Sequence, residues 1–201
     1  MTPGPTPAPP EVLAAIGQPV IHHRGPDFRQ LYAEALGRLR EVFRTEQEVL
    51  LFGGSGSGAM ESAVANLCSA GDPVLVVSAG YFGERWAAIA STYGVELDHL
   101  RYTWGEIPSA DDVAARLRER EARAVFFTHS ETSTGVVVDP QPFASVAREA
   151  GALSVVDAVS SLGAVPLETD AWGLGVVASG AQKALMTPPG LAMLTASPAA
   201  W

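Results

Sequence analysis

Seven short apolar runs, most of them separated by stretches of helical periodicity, constrain this chain more than any other feature. They cover residues 49–52, 74–77, 95–100, 124–127, 153–156, 175–178 and 191–194, each of strand length. Residues 60–69, 83–93, 111–121 and 141–150 lie between most of them and read as helices, and residues 27–43 form a further amphipathic stretch with Leu31, Ala35, Leu39 and Val42 at helical spacing. Such alternation predicts an α/β domain with a mostly parallel seven-stranded sheet flanked by helices. The link 184–190 holds two prolines and is too short for a crossover helix, so the last strand is expected to run antiparallel at or near its neighbour. Residues 1–26 read as a proline-rich arm and residues 27–201 as one folded unit.

Composition narrows the partners. With 13 basic against 22 acidic residues and a net charge of −9, the surface is unsuited to nucleic acid or an anionic membrane. Cys68 stands alone inside a helical stretch and reads as a buried structural thiol. No run is long and apolar enough to span a bilayer, and residues 1–10 lack the pattern of a signal peptide, so the expected location is the cytoplasm.

In an open α/β sheet, ligands bind at the carboxyl ends of the strands, and the polar clusters of this chain fall there. Gly53-Gly54-Ser55-Gly56-Ser57-Gly58 follows the first run, Ala79-Gly80-Tyr81-Phe82-Gly83 the second, and Thr128-His129-Ser130-Glu131-Thr132-Ser133-Thr134-Gly135 the fourth. Asp157 ends the fifth, and Lys183 lies just past the sixth. Lys183 is the single lysine among thirteen cationic residues, the others being arginine. A desolvated lysine can lose its proton and act as an amine nucleophile, which arginine cannot.

The glycine-rich loop offers backbone amides at a helix N-terminus, a setting for a phosphate. Gly54, Gly56 and Ala59 also satisfy a dinucleotide fingerprint, but no acid follows the second run to hold a ribose, which disfavours a nicotinamide oxidoreductase. The P-loop lysine is missing, and Ser57 occupies the final glycine position of a nucleophile elbow. Pyridoxal phosphate needs a Schiff-base lysine, an acid for its ring nitrogen, a phosphate cradle and a flat apolar group against the ring. Lys183, Asp157, the loop at 54–58 and Phe82 supply one each.

Four strings carry a family resemblance: Ser55-Gly56-Ser57-Gly58-Ala59-Met60-Glu61, the cluster from Thr128 to Gly135, Val156-Asp157-Ala158-Val159-Ser160-Ser161-Leu162-Gly163, and Ser179-Gly180-Ala181-Gln182-Lys183-Ala184-Leu185. Together they resemble the class V, fold type I pyridoxal-phosphate aminotransferases, above all the alanine–glyoxylate and serine–glyoxylate (serine–pyruvate) group. The resemblance implies the large domain of that fold and a homodimer. It gives Lys183 the internal aldimine, Asp157 the ring nitrogen, and Val159 and Phe82 the two ring faces. Ser55, Gly56, Ser57 and Gln182 match phosphate contacts, and Thr132 the residue near the ring hydroxyl. The implied reaction passes an amino group from alanine or serine to glyoxylate or pyruvate, with Lys183 as general base and acid.

Some positions depart from the pattern. Ala181 stands where the family often has serine, and Ser57 where it has threonine or histidine. Gln182 and Phe82 argue against the cysteine desulfurase branch, which carries histidines there. The family's C-terminal small domain, with the arginine that grips the substrate carboxylate, has no counterpart after Lys183, so a noncatalytic or split-enzyme cofactor-binding half is the alternative. His22 and His23 lack the spacing and companions of a zinc site, and no metal is expected.

Overall fold

The computed structural model describes residues 3–201. In chain order the elements are α1 (Pro10–Ile16), α2 (Pro26–Phe43), β1 (Val49–Gly54), α3 (Gly56–Leu67), β2 (Pro73–Ser78), α4 (Tyr81–Thr92), β3 (Glu96–Arg101), α5 (Ala110–Glu119), β4 (Ala124–Thr128), β5 (Ser130–Glu131), β6 (Val136–Val137), α6 (Pro140–Glu149), β7 (Leu153–Asp157), β8 (Val176–Gly180) and β9 (Gly190–Ala196). Seven strands form one sheet in the order β1-β9-β8-β7-β4-β2-β3, and β5 and β6 form a small separate hairpin. The pairs from β8 through to β3 are parallel. As expected from the short link before it, β9 runs antiparallel, to both β8 and β1.

Helices cover both faces of this sheet, which is why its strands read as continuous apolar runs. Period two sends neighbouring residues to opposite sides. Val74, Val76, Ala124 and Phe126 pack with Met60 and Val64 of α3 and Trp86 of α4. Leu75, Val77, Val125 and Phe127 pack with Val113 and Leu117 of α5, Phe143 of α6 and Phe43 of α2. Trp86 buries its indole in the first layer and donates its N–H to the Phe127 carbonyl at 3.2 Å, so its one polar atom is satisfied.

Capping residues set where the helices begin. Ser55, Ser109 and Asp139 precede α3, α5 and α6, and each side chain accepts a first-turn amide. Two helices start more than one residue earlier than periodicity indicates: α3 at Gly56 rather than residue 60, and α4 at Tyr81 rather than 83. Their opening turns are made of glycines and small or aromatic residues that carry no apolar stripe, yet a cap is enough to start them. No helix among the described residues is long and apolar enough to cross a membrane.

Candidate active site

The carboxyl ends of β2, β4, β7 and β8 face the N-termini of α3 and α4, and every site residue singled out in the sequence lies on this rim. At α3 the Ser55 Oγ accepts the Gly58 amide at 3.2 Å, and the Ser55 carbonyl accepts the Ala59 amide at 3.0 Å. The amides of Gly56 and Ser57 are left over, as first-turn amides are. Close packing holds this turn in place. A Cβ on Gly56 would lie 2.5 Å from Val159 Cγ2, and one on Gly180 would lie 3.1 Å from the Gly56 nitrogen and 3.0 Å from Gln182 Oε1. Both positions therefore require glycine, for close approach rather than for backbone freedom.

Asp157 ends a central strand and is 3% exposed. Its Oδ1 accepts the Val159 amide at 2.9 Å. Burial pushes its carboxyl up to about 7; the Val159 hydrogen bond opposes the rise, the neighbouring Glu131 adds to it, and Arg85 and Lys183 oppose it. Among the described residues no cation lies within salt-bridge distance of this carboxyl. Lys183 is displaced in the complementary sense, with burial lowering its pKa and the Asp157 charge partly restoring it. Its Nζ donates to the Pro3 carbonyl at 3.1 Å. Thr6 fastens this N-terminal strap: its amide donates to the Gln182 carbonyl at 3.0 Å and its hydroxyl to the Lys183 carbonyl at 2.7 Å.

Phe82 sits in the first turn of α4, whose N-cap position is Gly80 and has no side chain to offer. The cap comes from Glu131 on β5. One carboxylate oxygen accepts the amides of Phe82 and Gly83, both at 3.0 Å, and the other accepts the Ser133 amide at 3.1 Å and hydroxyl at 2.7 Å. This buried acid fixes the helix that presents the aromatic ring. Thr132 and Ser160 join their hydroxyls across the rim. Arg85, one turn further along α4, donates to Ser57 Oγ and to the Tyr81 hydroxyl, and its guanidinium lies over both the Tyr81 and Phe82 rings.

Sequence reasoning missed Glu131, Arg85 and the strap residues Pro3 and Thr6. Arg85 alone left a local signal, since it lies at helical spacing from Tyr81 and Phe82. Other candidates resolve differently. Burial raises the Cys68 thiol to about 11, so it is no nucleophile. Burial likewise lowers His129 to about 4, leaving a neutral imidazole at the end of β4. His22 and His23 stack on each other in an exposed turn, 5.2 Å between ring centres.

Comparison with known proteins gives the family of the chain. The family described as aminotransferase class-V matches residues 2–200. The chain belongs to the class V aminotransferase family. It is 38% identical to the L-aspartate–glyoxylate aminotransferase of Paracoccus denitrificans, over 98% of this chain and 52% of that one. A crystal structure of alanine–glyoxylate aminotransferase from Nostoc sp. superimposes with a TM-score of 0.97 at 37% identity, covering 100% of this chain and 53% of that one. The chain is also 44% identical to a Synechococcus protein named as the small subunit of a soluble hydrogenase, over 100% of this chain and 53% of that one. The chain thus spans about half the length of the relatives it matches.

Class V aminotransferases are pyridoxal-phosphate enzymes, and the rim fits that cofactor. Gln182 Oε1 is buried and has no hydrogen-bond partner among the described residues, close to Gly180 and the first turn of α3. The NH2 of that side chain, turned into this place, would hold the phosphate together with the Gly56 and Ser57 amides and the serine hydroxyls. Asp157 would face the ring nitrogen, Phe82 and Val159 the ring, and Thr132 the ring hydroxyl, with Lys183 the one amine available to the aldehyde.

Proposed function

We propose that this chain carries the cofactor half-site of an aminotransferase that moves an amino group from a small amino acid, alanine or serine, to glyoxylate or pyruvate. The observation that carries the reading is the convergence of the lowered Lys183 amine, the buried Asp157 carboxyl and the open amides of α3 on one rim. Glyoxylate is named for two of the relatives, on Paracoccus and Nostoc proteins of different amino donors. A small donor agrees with the Pro3–Thr6 strap, which lies against Lys183 and limits the space beside its amine.

Pyridoxal phosphate, when bound, supplies a carbonyl that condenses with amines and a ring that takes up carbanion electrons. Burial lowers the Lys183 pKa, against the opposing charge of Asp157, and so favours the neutral amine that a covalent and then a basic group requires. With the cofactor bound, Lys183 Nζ would take the proton from the substrate α-carbon and return it. Asp157 would hold a proton at the ring nitrogen, a role suited to a carboxyl desolvated at the end of a central strand.

The test is reduction with borohydride after incubation with pyridoxal phosphate. The full chain is expected to show an absorbance band of the lysine adduct and to retain the cofactor on the peptide containing Lys183. A Lys183→Ala protein that still forms a reducible adduct refutes the assignment. A second reading, a cofactor-binding part that acts only with further sequence, is supported by the half-length match to the relatives. Turnover that appears only on adding the missing half would establish it. Exposed apolar side chains on α1 and α2, including Leu13 at 55% and Leu31 at 56%, support pairing with a second copy of the chain. Residues 1–26 would then act as the arm and residues 27–201 as the cofactor-binding unit.

A further inference from the structure

Arg85 lies outside the four strings that carry the family resemblance. Its side chain is half-buried, and no carboxylate lies within salt-bridge distance of it among the described residues. A guanidinium offers five N–H donors in a fixed fork. Here one goes to Ser57 Oγ and one to the Tyr81 hydroxyl at 3.0 Å. The aromatic rings hold the group from beneath, with its central carbon 5.0 Å from the Tyr81 centroid and 5.3 Å from that of Phe82. Stacking of this kind fixes the plane of the fork and shields it from water.

The contact with Ser57 decides where the fork points. Ser57 is the second residue of α3, beside the two first-turn amides that have no acceptor within the helix. Gln182 Oε1 lies buried and unpartnered against the same turn. Donors from α3 and α4 therefore converge on one spot beside the Gln182 side chain, whose amide group can also turn its NH2 toward it, and Arg85 brings a full positive charge there. A partly desolvated cation without a counter-ion is costly unless an anion completes it.

We propose that Arg85 is the charged clamp of the cofactor phosphate, gripping it together with Ser57 and the α3 amides while its back is stacked on Tyr81 and Phe82. The proposal rests on the pyridoxal-phosphate reading above. One residue thereby couples the phosphate end of the site to the aromatic platform for the ring.

Binding of pyridoxal phosphate and of pyridoxal, which lacks the phosphate, separates this role from a purely structural tie between α3 and α4. Both are titrated against the full chain by quenching of protein fluorescence. Arg85→Met is expected to weaken pyridoxal phosphate by about 10- to 100-fold, the range of one or two charge-assisted hydrogen bonds, and pyridoxal by less than about threefold. Arg85→Gln, which can still reach Ser57 without the charge, should show the same selective loss if Met disturbs folding, and Arg85→Lys a smaller one. A variant that loses both ligands equally, or neither, overturns the clamp. If the unaltered chain forms no reducible adduct at Lys183, the cofactor reading falls and the clamp with it. If the adduct forms but the preference for the phosphorylated ligand survives in Arg85→Met and Arg85→Gln, the clamp alone falls.

Discussion

Replacing Glu131 by glutamine tests how α4 is held. The carboxylate accepts four hydrogen bonds, from the Phe82 and Gly83 amides on one oxygen and from the Ser133 amide and hydroxyl on the other. A glutamine amide keeps only one acceptor oxygen. Turned toward the helix, it preserves the Phe82 and Gly83 bonds in neutral form; the Ser133 hydroxyl can rotate to accept from the new NH2, but the Ser133 amide loses its acceptor. Turned the other way, two backbone amides lose theirs, which is worse. A hydrogen bond to a charged group contributes about 1.5–3 kcal/mol, so the cheaper orientation costs about 3 kcal/mol. The lost interaction of a negative charge with the N-terminus of α4 acts in the same direction. For a chain of this size each kcal/mol lowers Tm by roughly 2–4 °C, giving a drop of about 6–12 °C. Thermal unfolding of the cofactor-free proteins, followed by circular dichroism, measures it. A Glu131→Gln protein melting within about 2 °C of the parent would refute the capping argument.

Two further expectations concern the same rim. Gly56→Ala places a methyl group against Val159 Cγ2, at 2.5 Å before relaxation, and should destabilise by about 1–3 kcal/mol; an unchanged urea midpoint would show that the contact is absent. Asp157 titrates at about 7 when folded against an ordinary 3.8, so the folded chain binds this proton more tightly than the unfolded one. Its contribution to stability is full below pH 3.8 and is lost as pH rises through about 7. Relative to Asp157→Asn, the cofactor-free parent should lose stability across that window in denaturant titrations. A difference between the two that is constant with pH would contradict the burial assigned to the carboxyl.

Legibility in the sequence followed the range of the forces involved. The strands at Val74, Ala124 and Leu153 were plain because helices bury both their faces, leaving apolar runs with no alternation to confuse them. Asp157 and Lys183 stood out because ionisable residues beside such runs are rare. The first turn of α3 was harder: Gly56-Ser57-Gly58 has loop composition, and only the cap by Ser55 and the close contacts with Val159 and Gly180 make it helical. Helix α1 and the two-residue strands of the β5–β6 hairpin are too short to leave a periodic signal. Glu131 was hidden for another reason. Its partners are backbone amides on a different element, and the sequence does not record which helix end lies opposite which acid. The same is true of Thr6 and Lys183.

That strap bears on how the molecule is made. Thr6 bonds to a carbonyl 177 residues away, and β1 pairs with β9 from Val49 to Thr195. Chain closure over such separations is slow and comes late in folding. During synthesis the strap and β1 emerge first and must wait, with the apolar edge of β1 open, until almost the whole chain has followed. The parallel strands β2, β3 and β4 and their helices can dock meanwhile, because their contacts are nearer in sequence. The strap therefore stays unfastened until Gln182 and Lys183 have been made, and the open edge of β1 waits longer still, until β9 follows.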